Sequence, residues 1–189
     1  MTPYCGDLLA VDPSLRSSGV AIFRGGALTS SARVTVPKTE AVPAARALRM
    51  AQEIAAWASE RGEARTLACE WPQIYPRTHM RKEQRGADPN DLIGLAGVAG
   101  ALAGLLAAHA GQRDAALRVL AYRPAEWIGQ IPKATRGNPW NSLRGQRIRA
   151  ALTSDEADAV PPSHDVIDAV GIGLHALGRL RGGKVLTIE

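Results

Sequence analysis

The stretch LLAVDPSLRSSGVA, residues 8–21, decides how the chain begins to fold. An apolar run over residues 8–11 ends at Asp12-Pro13, and a second apolar run over residues 19–23 follows a polar turn. Short apolar runs bounded by turn residues are typical of buried β-strands. The stretch therefore predicts a β-hairpin with an aspartate at the end of its first strand.

The rest of the chain continues this pattern with alternating helices and strands. Further strands are predicted over residues 30–36, 66–70 and 117–121. The predicted helices are residues 43–61, a segment capped by Asn90 or Asp91 that runs to His109, a turn at residues 126–127, residues 141–152 and residues 163–180. This order predicts an α/β fold in a single domain, residues 1–189, with helices flanking a mixed β-sheet.

The composition is that of a globular domain that favours an anionic partner. The chain has 189 residues, of which 46% are hydrophobic and only 4% aromatic. A length in this range fits one domain with a full core. The formal net charge of +5 favours polyanions such as nucleic acid through phosphate neutralisation.

The two cysteines indicate neither a zinc site nor a disulfide framework. Cys5 and Cys69 stand far apart and belong to no CxxC motif. The N-terminus lacks a basic flank followed by an apolar run, so no signal peptide is predicted. We therefore expect a cytoplasmic protein with reduced thiols, in a bacterial host if the gene is carried by a phage.

Two carboxylates, Asp12 and Glu70, each end a predicted buried strand. Strands that end together would bring both side chains to one sheet edge, where like charges repel unless a cation binds between them. The alternative for Asp12 is a turn aspartate, which is common at strand ends. The pair indicates a metal site or an acid/base site.

The segment HDVIDAV, residues 164–170, adds two carboxylates at the start of the last predicted helix. A spacing of three places Asp165 and Asp168 on one helix face. An acidic first turn can also merely stabilise the helix dipole, which explains Asp165 better than Asp168. Together, Asp12, Glu70, Asp165 and Asp168 predict an all-oxygen site for Mg²⁺, with Mn²⁺ as a substitute. Two such ions roughly 4 Å apart would activate a water beside a phosphodiester and stabilise the leaving 3′ oxygen.

These motifs, taken in order, resemble the RuvC family of Holliday junction resolvases. The shared features are the Asp12-Pro13 strand end with Gly19 opening the second strand, the strand-end Glu70, and the Asp-x-x-Asp-Ala helix. The resemblance covers nearly the whole chain and implies a ribonuclease H-like fold and a homodimer. It also implies paired symmetric cuts in four-way DNA junctions, with the four carboxylates as catalytic metal ligands.

The chain departs from the family's pattern at two positions. Ser14 stands where the family usually has glycine, and Gln73 where it usually has an aromatic residue. Trp71 or Tyr75 could instead stack on an unpaired base at the junction.

Some relatives have histidine in place of Asp165, but His164 lies one residue earlier, about 100° around the helix. His164 is therefore interpreted as a residue of the capping region.

Two basic groups are predicted to contact DNA phosphates, although a solvated charge run would look the same. The first comprises Arg77, Arg81, Lys82 and Arg85, with Tyr75 in the same loop as the better candidate for stacking on a base, and the second comprises Lys133, Arg136, Arg144, Arg147 and Arg149. The loop before Arg144 is longer than expected of housekeeping resolvases, so a phage-type member is a possible interpretation. The sequence leaves open whether a branch-migration helicase acts with the protein.

The Gly/Ala-rich segment over residues 92–108 is interpreted as a buried helix. It falls short of the roughly 20 residues that cross a membrane, so no membrane association is expected. Its small residues Gly97, Ala101, Gly104 and Ala108 permit close helix contact, with core packing as the default interpretation.

Other functions remain open at the level of the sequence. A broader branched-DNA or flap endonuclease would carry the same carboxylates, and a non-catalytic DNA-binding module could retain the fold. An actin-like or sugar-kinase ATPase is disfavoured, because such enzymes pair two core domains and this chain offers one.

Overall fold

The computed structural model describes residues 7–37, 39, 42–62, 64–72, 89–112, 115–129 and 137–180, without the side chains of residues 89–91. The strands are β1 (Leu8–Asp12), β2 (Ser17–Arg24), β3 (Ala27–Thr35), β4 (Thr66–Glu70) and β5 (Arg118–Tyr122). The helices are α1 (Pro43–Ser59), α2 (Pro89–Gly111), α3 (Pro124–Trp127), α4 (Leu143–Arg149), α5 (Ser154–Asp158) and α6 (His164–Ala176), and a 3₁₀ turn covers Pro139–Asn141.

The sheet is mixed and five-stranded, in the order β3-β2-β1-β4-β5. β1, β2 and β3 form an antiparallel meander, whereas β4 and β5 run parallel to β1. The β2–β3 turn uses Gly25 and Gly26, whose φ angles of 55° and 86° other residues rarely adopt. The predicted hairpin and the mixed sheet flanked by helices are therefore confirmed.

Two hydrophobic cores lie on opposite faces of this sheet. Leu8 and Ala10 pack in the core formed with α6, whereas Leu9 and Val11 pack in the core formed with α1 and α2. Successive side chains of a strand point to opposite faces, so this period-two alternation assigns each of the four apolar β1 residues to one core or the other.

Several predicted boundaries were wrong. The predicted helix over residues 141–152 is a 3₁₀ turn followed by the shorter α4, because Ser142 is the N-cap and its Oγ accepts the Gly145 N–H at 3.0 Å. α5 was not predicted. It begins after Thr153, which with Glu156 forms a capping box, a signal visible in the sequence as Thr-x-x-Glu. α2 begins at Pro89, so Asn90 and Asp91 lie within its first turn.

α2 is not the buried helix that the sequence favoured. Val98 and Leu102 are fully buried against α1, but Ile93 is 70% exposed, and Gly97, Gly100, Gly104 and Ala108 are exposed too. Among the described residues, Leu92–Gly111 is the one helix long and apolar enough to span a membrane by length and composition alone. An apolar helix with one open face therefore lies on the surface of this chain.

Candidate active site

The strand register places Asp12 and Glu70 side by side on the α6 face of the sheet. β1 and β4 are parallel neighbours, with Val11 paired to Cys69, so the next residues end the two strands at the same edge. Ala10 and Ala68 belong to the α6 core, and Asp12 and Glu70 follow each by two residues. Both carboxylates are therefore directed to the face that α6 covers.

Gly19 allows α6 to approach this edge. Gly19 pairs with Asp12 across the β1–β2 ladder, and a Cβ at Gly19 would overlap the backbone carbonyl of Asp165. Only glycine permits this contact between β2 and the first turn of α6. The hydroxyl of Ser17 donates to Asp165 Oδ2 at 2.8 Å, which orients that carboxylate.

Asp168 lies one helical turn further on and is almost fully buried. Arg144 Nη1 donates to both of its carboxylate oxygens, at 3.0 Å to Oδ1 and 2.9 Å to Oδ2. The side chains of Arg144 and Asp168 are 13% and 5% exposed. A buried carboxylate is tolerated only when it is paired, and here the partner comes from α4.

Trp127 orients Glu70 from the other side of the site. Its fully buried indole Nε1–H donates to Glu70 Oε2 at 3.0 Å. The ring fits beside α6 because residue 171 is glycine: a Cβ there would lie 2.6 Å from Trp127 Cζ3. The Arg144 guanidinium lies 5.6 Å from the centre of the same ring. Trp127, which bonds to Glu70, therefore also contacts the arginine that bonds to Asp168.

Sequence reasoning missed the role of Trp127 and placed Arg144 among the DNA-contacting residues. The sequence carries a signal for Trp127, since indole nitrogens usually find a hydrogen-bond partner when the ring is buried. No local pattern pairs Arg144 with Asp168, because 24 residues separate them along the chain.

The remaining predicted residues are distributed as follows. Arg147 is half-buried on α4, near His175, whose pKa is lowered by burial and, to a smaller extent, by the charge of Arg147. His164 is half-buried at the first residue of α6, and Trp71, next to Glu70, is 45% exposed. The predicted DNA contacts Tyr75, Arg77, Arg81, Lys82, Arg85, Lys133 and Arg136, and also Cys5, lie outside the described residues.

Cys69 is chemically quiet although it adjoins Glu70. Burial and then the charge of Glu70 raise the pKa of the Cys69 thiol to about 11. The thiol therefore stays protonated at neutral pH and behaves as a small apolar residue of the α1/α2 core.

The donor chemistry of the site suits a hard divalent cation. Carboxylates from β1, β4 and α6 meet at one sheet edge and offer only oxygen ligands. In the described part of the chain, however, no three His, Cys, Asp or Glu side chains converge closely enough to hold a metal ion. Arg144 and Trp127 instead bond to Asp168 and Glu70. The donor chemistry therefore fits a hard divalent cation, whereas the described side chains form no metal-binding group in this structure.

Comparisons with known proteins give structural matches only. No protein-family model and no curated protein sequence matches the chain. The fold matches T. thermophilus RuvC in complex with a Holliday junction substrate, with a TM-score of 0.54, 14% identity, and coverage of 89% of this chain and 90% of that chain. A second Thermus thermophilus RuvC structure gives a TM-score of 0.53, 18% identity, and coverage of 89% of this chain and 91% of that chain.

A yeast mitochondrial Holliday junction resolvase matches with a TM-score of 0.57 at 10% identity, covering 95% of this chain and 83% of that chain. At such identities the similarity lies in the arrangement of strands and helices. The chain therefore has the ribonuclease H-like fold of the RuvC-type resolvases.

Proposed function

We propose that this protein is a metal-dependent endonuclease that resolves four-way DNA junctions. The observation that carries the proposal is that β1 and β4 end side by side with Asp12 and Glu70, and that the helix carrying Asp165 and Asp168 packs against this edge, in a fold similar to RuvC. One of the similar structures is RuvC bound to a Holliday junction substrate, which supports branched DNA as the partner.

Asp12, Glu70, Asp165 and Asp168 would hold Mg²⁺, or Mn²⁺ in its place. Two bound ions would supply an activated water and stabilise the leaving 3′ oxygen. Within the chain, the Ser17 hydroxyl keeps Asp165 oriented and the indole of Trp127 keeps Glu70 oriented. Such partners of metal ligands fix their orientation and raise metal affinity.

The DNA-binding surface would surround this edge. The net charge of +5 favours a polyanion, and the basic residues at 77–85, together with Lys133, Arg136 and Arg147, are proposed phosphate contacts. Trp71 follows Glu70 directly, and its backbone N–H donates to the Tyr122 carbonyl at 2.8 Å. This fixed backbone would hold a half-exposed indole next to the site, where it could stack on an unpaired base as Tyr75 also could.

A homodimer would cover the open face of α2. The exposed stripe comprises Ile93, Gly97, Gly100, Gly104 and Ala108, spaced three or four residues apart. A Cβ added at Gly100 or Gly104 would meet no atom within 4 Å, so a second helix could approach closely there. A two-fold dimer would also match the two-fold symmetry of a four-way junction.

Ile93→Lys tests the dimer, because it places a charge on the stripe without disturbing the core. We expect the wild type to be a dimer and the variant a folded monomer in size-exclusion chromatography with light scattering. A monomeric wild type would exclude the dimer. Wild type that is recovered only with detergent or lipid vesicles would indicate a membrane instead.

The activity test uses a labelled four-way junction, a matched linear duplex and a flap, each with MgCl₂ or EDTA. Paired symmetric nicks confined to the junction and dependent on Mg²⁺ are expected. Cutting of every branched form would indicate a broader structure-specific nuclease. Binding without cutting under either Mg²⁺ or Mn²⁺ would indicate a non-catalytic DNA-binding module.

Asp12→Asn is the matched variant for the site assignment. It removes one metal ligand and adds no negative charge, so junction binding should persist while cleavage falls below detection. Cleavage at the wild-type rate by this variant would contradict the assignment of the carboxylates.

A further inference from the structure

The buried pair of Arg144 and Asp168 is the feature of the site that the nuclease mechanism does not by itself require. One guanidinium nitrogen contacts both carboxylate oxygens of Asp168, at 3.0 and 2.9 Å. A cation thus already stands at the carboxylate that the proposed metal site needs. Both side chains are largely shielded from water, so each charge depends on having a counter-charge nearby.

α4 is built so that Arg144 is held in this place. Ser142 caps the helix, and its Oγ donates to the Pro139 carbonyl at 2.6 Å while accepting the Gly145 N–H. A Cβ at Gly145 would lie 2.8 Å from Trp140 Cα, so α4 sits directly on the preceding 3₁₀ turn. Ile148 of α4 is buried against Gly171 of α6. The helix backbone is therefore fixed on both sides, so release of Asp168 would require a change in the Arg144 side chain alone.

We infer that Arg144 is an exchangeable internal counter-ion of Asp168, which holds the carboxylate in place in the metal-free protein and is displaced when a divalent cation binds. The inference rests on the proposed metal-dependent function. Arg144 is thus a positioning residue whose guanidinium competes with the metal for Asp168. Once displaced, it would remain tethered beside the site as a positive charge near the phosphates of bound DNA.

Competition of this kind has a consequence that a merely structural ion pair lacks: removal of Arg144 should strengthen metal binding. A ligand that must displace a competing group binds more weakly by the free energy of that competition. Without Arg144, Asp168 also loses the counter-charge that this side chain supplies, so the metal-free protein should lose stability and regain it when metal binds. A purely structural role predicts the loss of stability but no gain in metal affinity.

The test titrates MnCl₂ or MgCl₂ into the DNA-free protein by calorimetry and compares wild type with Arg144→Met and Arg144→Lys. We expect Arg144→Met to bind Mn²⁺ about 5- to 100-fold more tightly, the span of typical coupling between linked sites. Arg144→Lys retains a cation, so its Mn²⁺ affinity should lie between those of wild type and Arg144→Met. The Tm of metal-free Arg144→Met should lie several degrees below that of wild type and rise further than wild type when Mn²⁺ is added.

Arg149→Met is the matched control. It removes the same charge from the same helix, but Arg149 lies 3.9 Å from Asp158 and 5.9 Å from the centre of the Trp140 ring, and the side chains of Arg149 and Asp158 are both more than half exposed. Its Mn²⁺ affinity should stay within about twofold of wild type, because exposed pairs contribute little. A gain in affinity equal to that of Arg144→Met would show a general charge effect and overturn the inference.

A second measurement on unaltered protein remains decisive if Arg144→Met does not fold. The guanidinium Hη signals of Arg144 should be separate in the metal-free NMR spectrum, because the ion pair restricts rotation, and should merge when MgCl₂ is added. Separate signals at saturating MgCl₂ would overturn the inference.

The outcomes separate this inference from the proposed function. Equal Mn²⁺ affinity of wild type and Arg144→Met would overturn the exchange and leave the metal-dependent nuclease intact. No metal binding by wild type, Arg144→Met or Arg144→Lys would overturn both.

Discussion

The helices α2 and α6 are both rich in glycine, alanine and branched apolar residues, yet they occupy opposite environments. Every residue of α6 from Val166 to Leu174 is buried, whereas α2 buries one face and exposes the other. The glycines differ in the same way. A Cβ at Gly171 would lie 2.6 Å from Trp127, but one at Gly100 or Gly104 would meet nothing within 4 Å. The small residues of α6 thus allow close packing within the chain, whereas those of α2 leave room for a partner.

The largest effect on stability is expected at the ion pair between Arg179, which follows α6, and Glu156 of α5. Arg179 donates to both carboxylate oxygens of Glu156, at 2.8 and 2.6 Å, and Glu156 also accepts the Leu28 N–H at 2.7 Å. Glu156→Gln should lower the free energy of unfolding by about 3 kcal/mol at neutral pH, because it leaves Arg179 without its buried partner. Chemical denaturation measures this loss. Glu53→Gln is the control, since Glu53 forms an exposed pair with Arg49 and should change stability by less than about 0.5 kcal/mol.

The pair of Glu156 and Arg179 also makes the stability of the protein depend on pH. The hydrogen bonds from Arg179 lower the pKa of Glu156 from 4.5 to about 2. Because the folded pKa lies below the unfolded value, this stabilisation is complete above about pH 4.5 and is lost as the pH falls toward 2. The difference in unfolding free energy between wild type and Glu156→Gln should therefore shrink over this interval. A constant difference from pH 6 to pH 2 would contradict the assignment.

Gly173→Ala tests how tightly α6 packs on the sheet. A methyl group at this position would overlap the buried ring of Phe23. Overpacking of this kind should lower the free energy of unfolding by about 2 kcal/mol, measured by urea denaturation. An unchanged free energy of unfolding would mean that α6 can shift away from β2. In that case α6 would not be more tightly packed than α2.

Trp127→Phe tests whether the packing of α6 also serves the site. The substitution retains most of the aromatic ring but removes the N–H that donates to Glu70. Loss of such a partner of a metal ligand should reduce the cleavage rate and the apparent Mg²⁺ affinity about 10- to 100-fold. Single-turnover cleavage of a four-way junction at several MgCl₂ concentrations measures both. Trp140→Phe, in the same core, is the control and should cleave at the wild-type rate.

The smallest effect is expected on the open face of α2. Gly104→Ala in the monomeric Ile93→Lys background should raise the free energy of unfolding by about 0.5–1 kcal/mol, because alanine is the better helix former and nothing in the described structure opposes its methyl group. Thermal unfolding of the single and double variants measures the change. Destabilisation would mean that this face packs within the chain after all.

The strands could be predicted because their signals are local. Continuous apolar runs identify β1 and β4, and the carboxylate at the end of each is visible by inspection. The Asp165 and Asp168 spacing places both on one helix face without further information. All four proposed ligands could therefore be named from the sequence, and the parallel β1–β4 register explains why Asp12 and Glu70 lie side by side.

The helix environments could not be predicted in the same way. Residues 92–108 were predicted to form a buried helix because their composition is apolar. Burial, however, depends on which elements lie against each face of the helix. α1 covers one face of α2, and no other described element covers the stripe from Ile93 to Ala108. Composition reports hydrophobicity and not the position of neighbours.

By itself, the sequence determined the α/β order of elements, the strand-end and helix-start carboxylates, and the basic charge that favours a polyanion. These are properties of local periodicity and composition. Only the tertiary structure decided that Trp127 bonds to Glu70 and that Arg144 stands at Asp168, since these contacts join residues separated by 57 and 24 positions. Long-range pairs depend on how helices pack across the sheet. That packing is set by close approaches such as Gly19 to Asp165 and Gly171 to Trp127, which become visible only once the chain has folded.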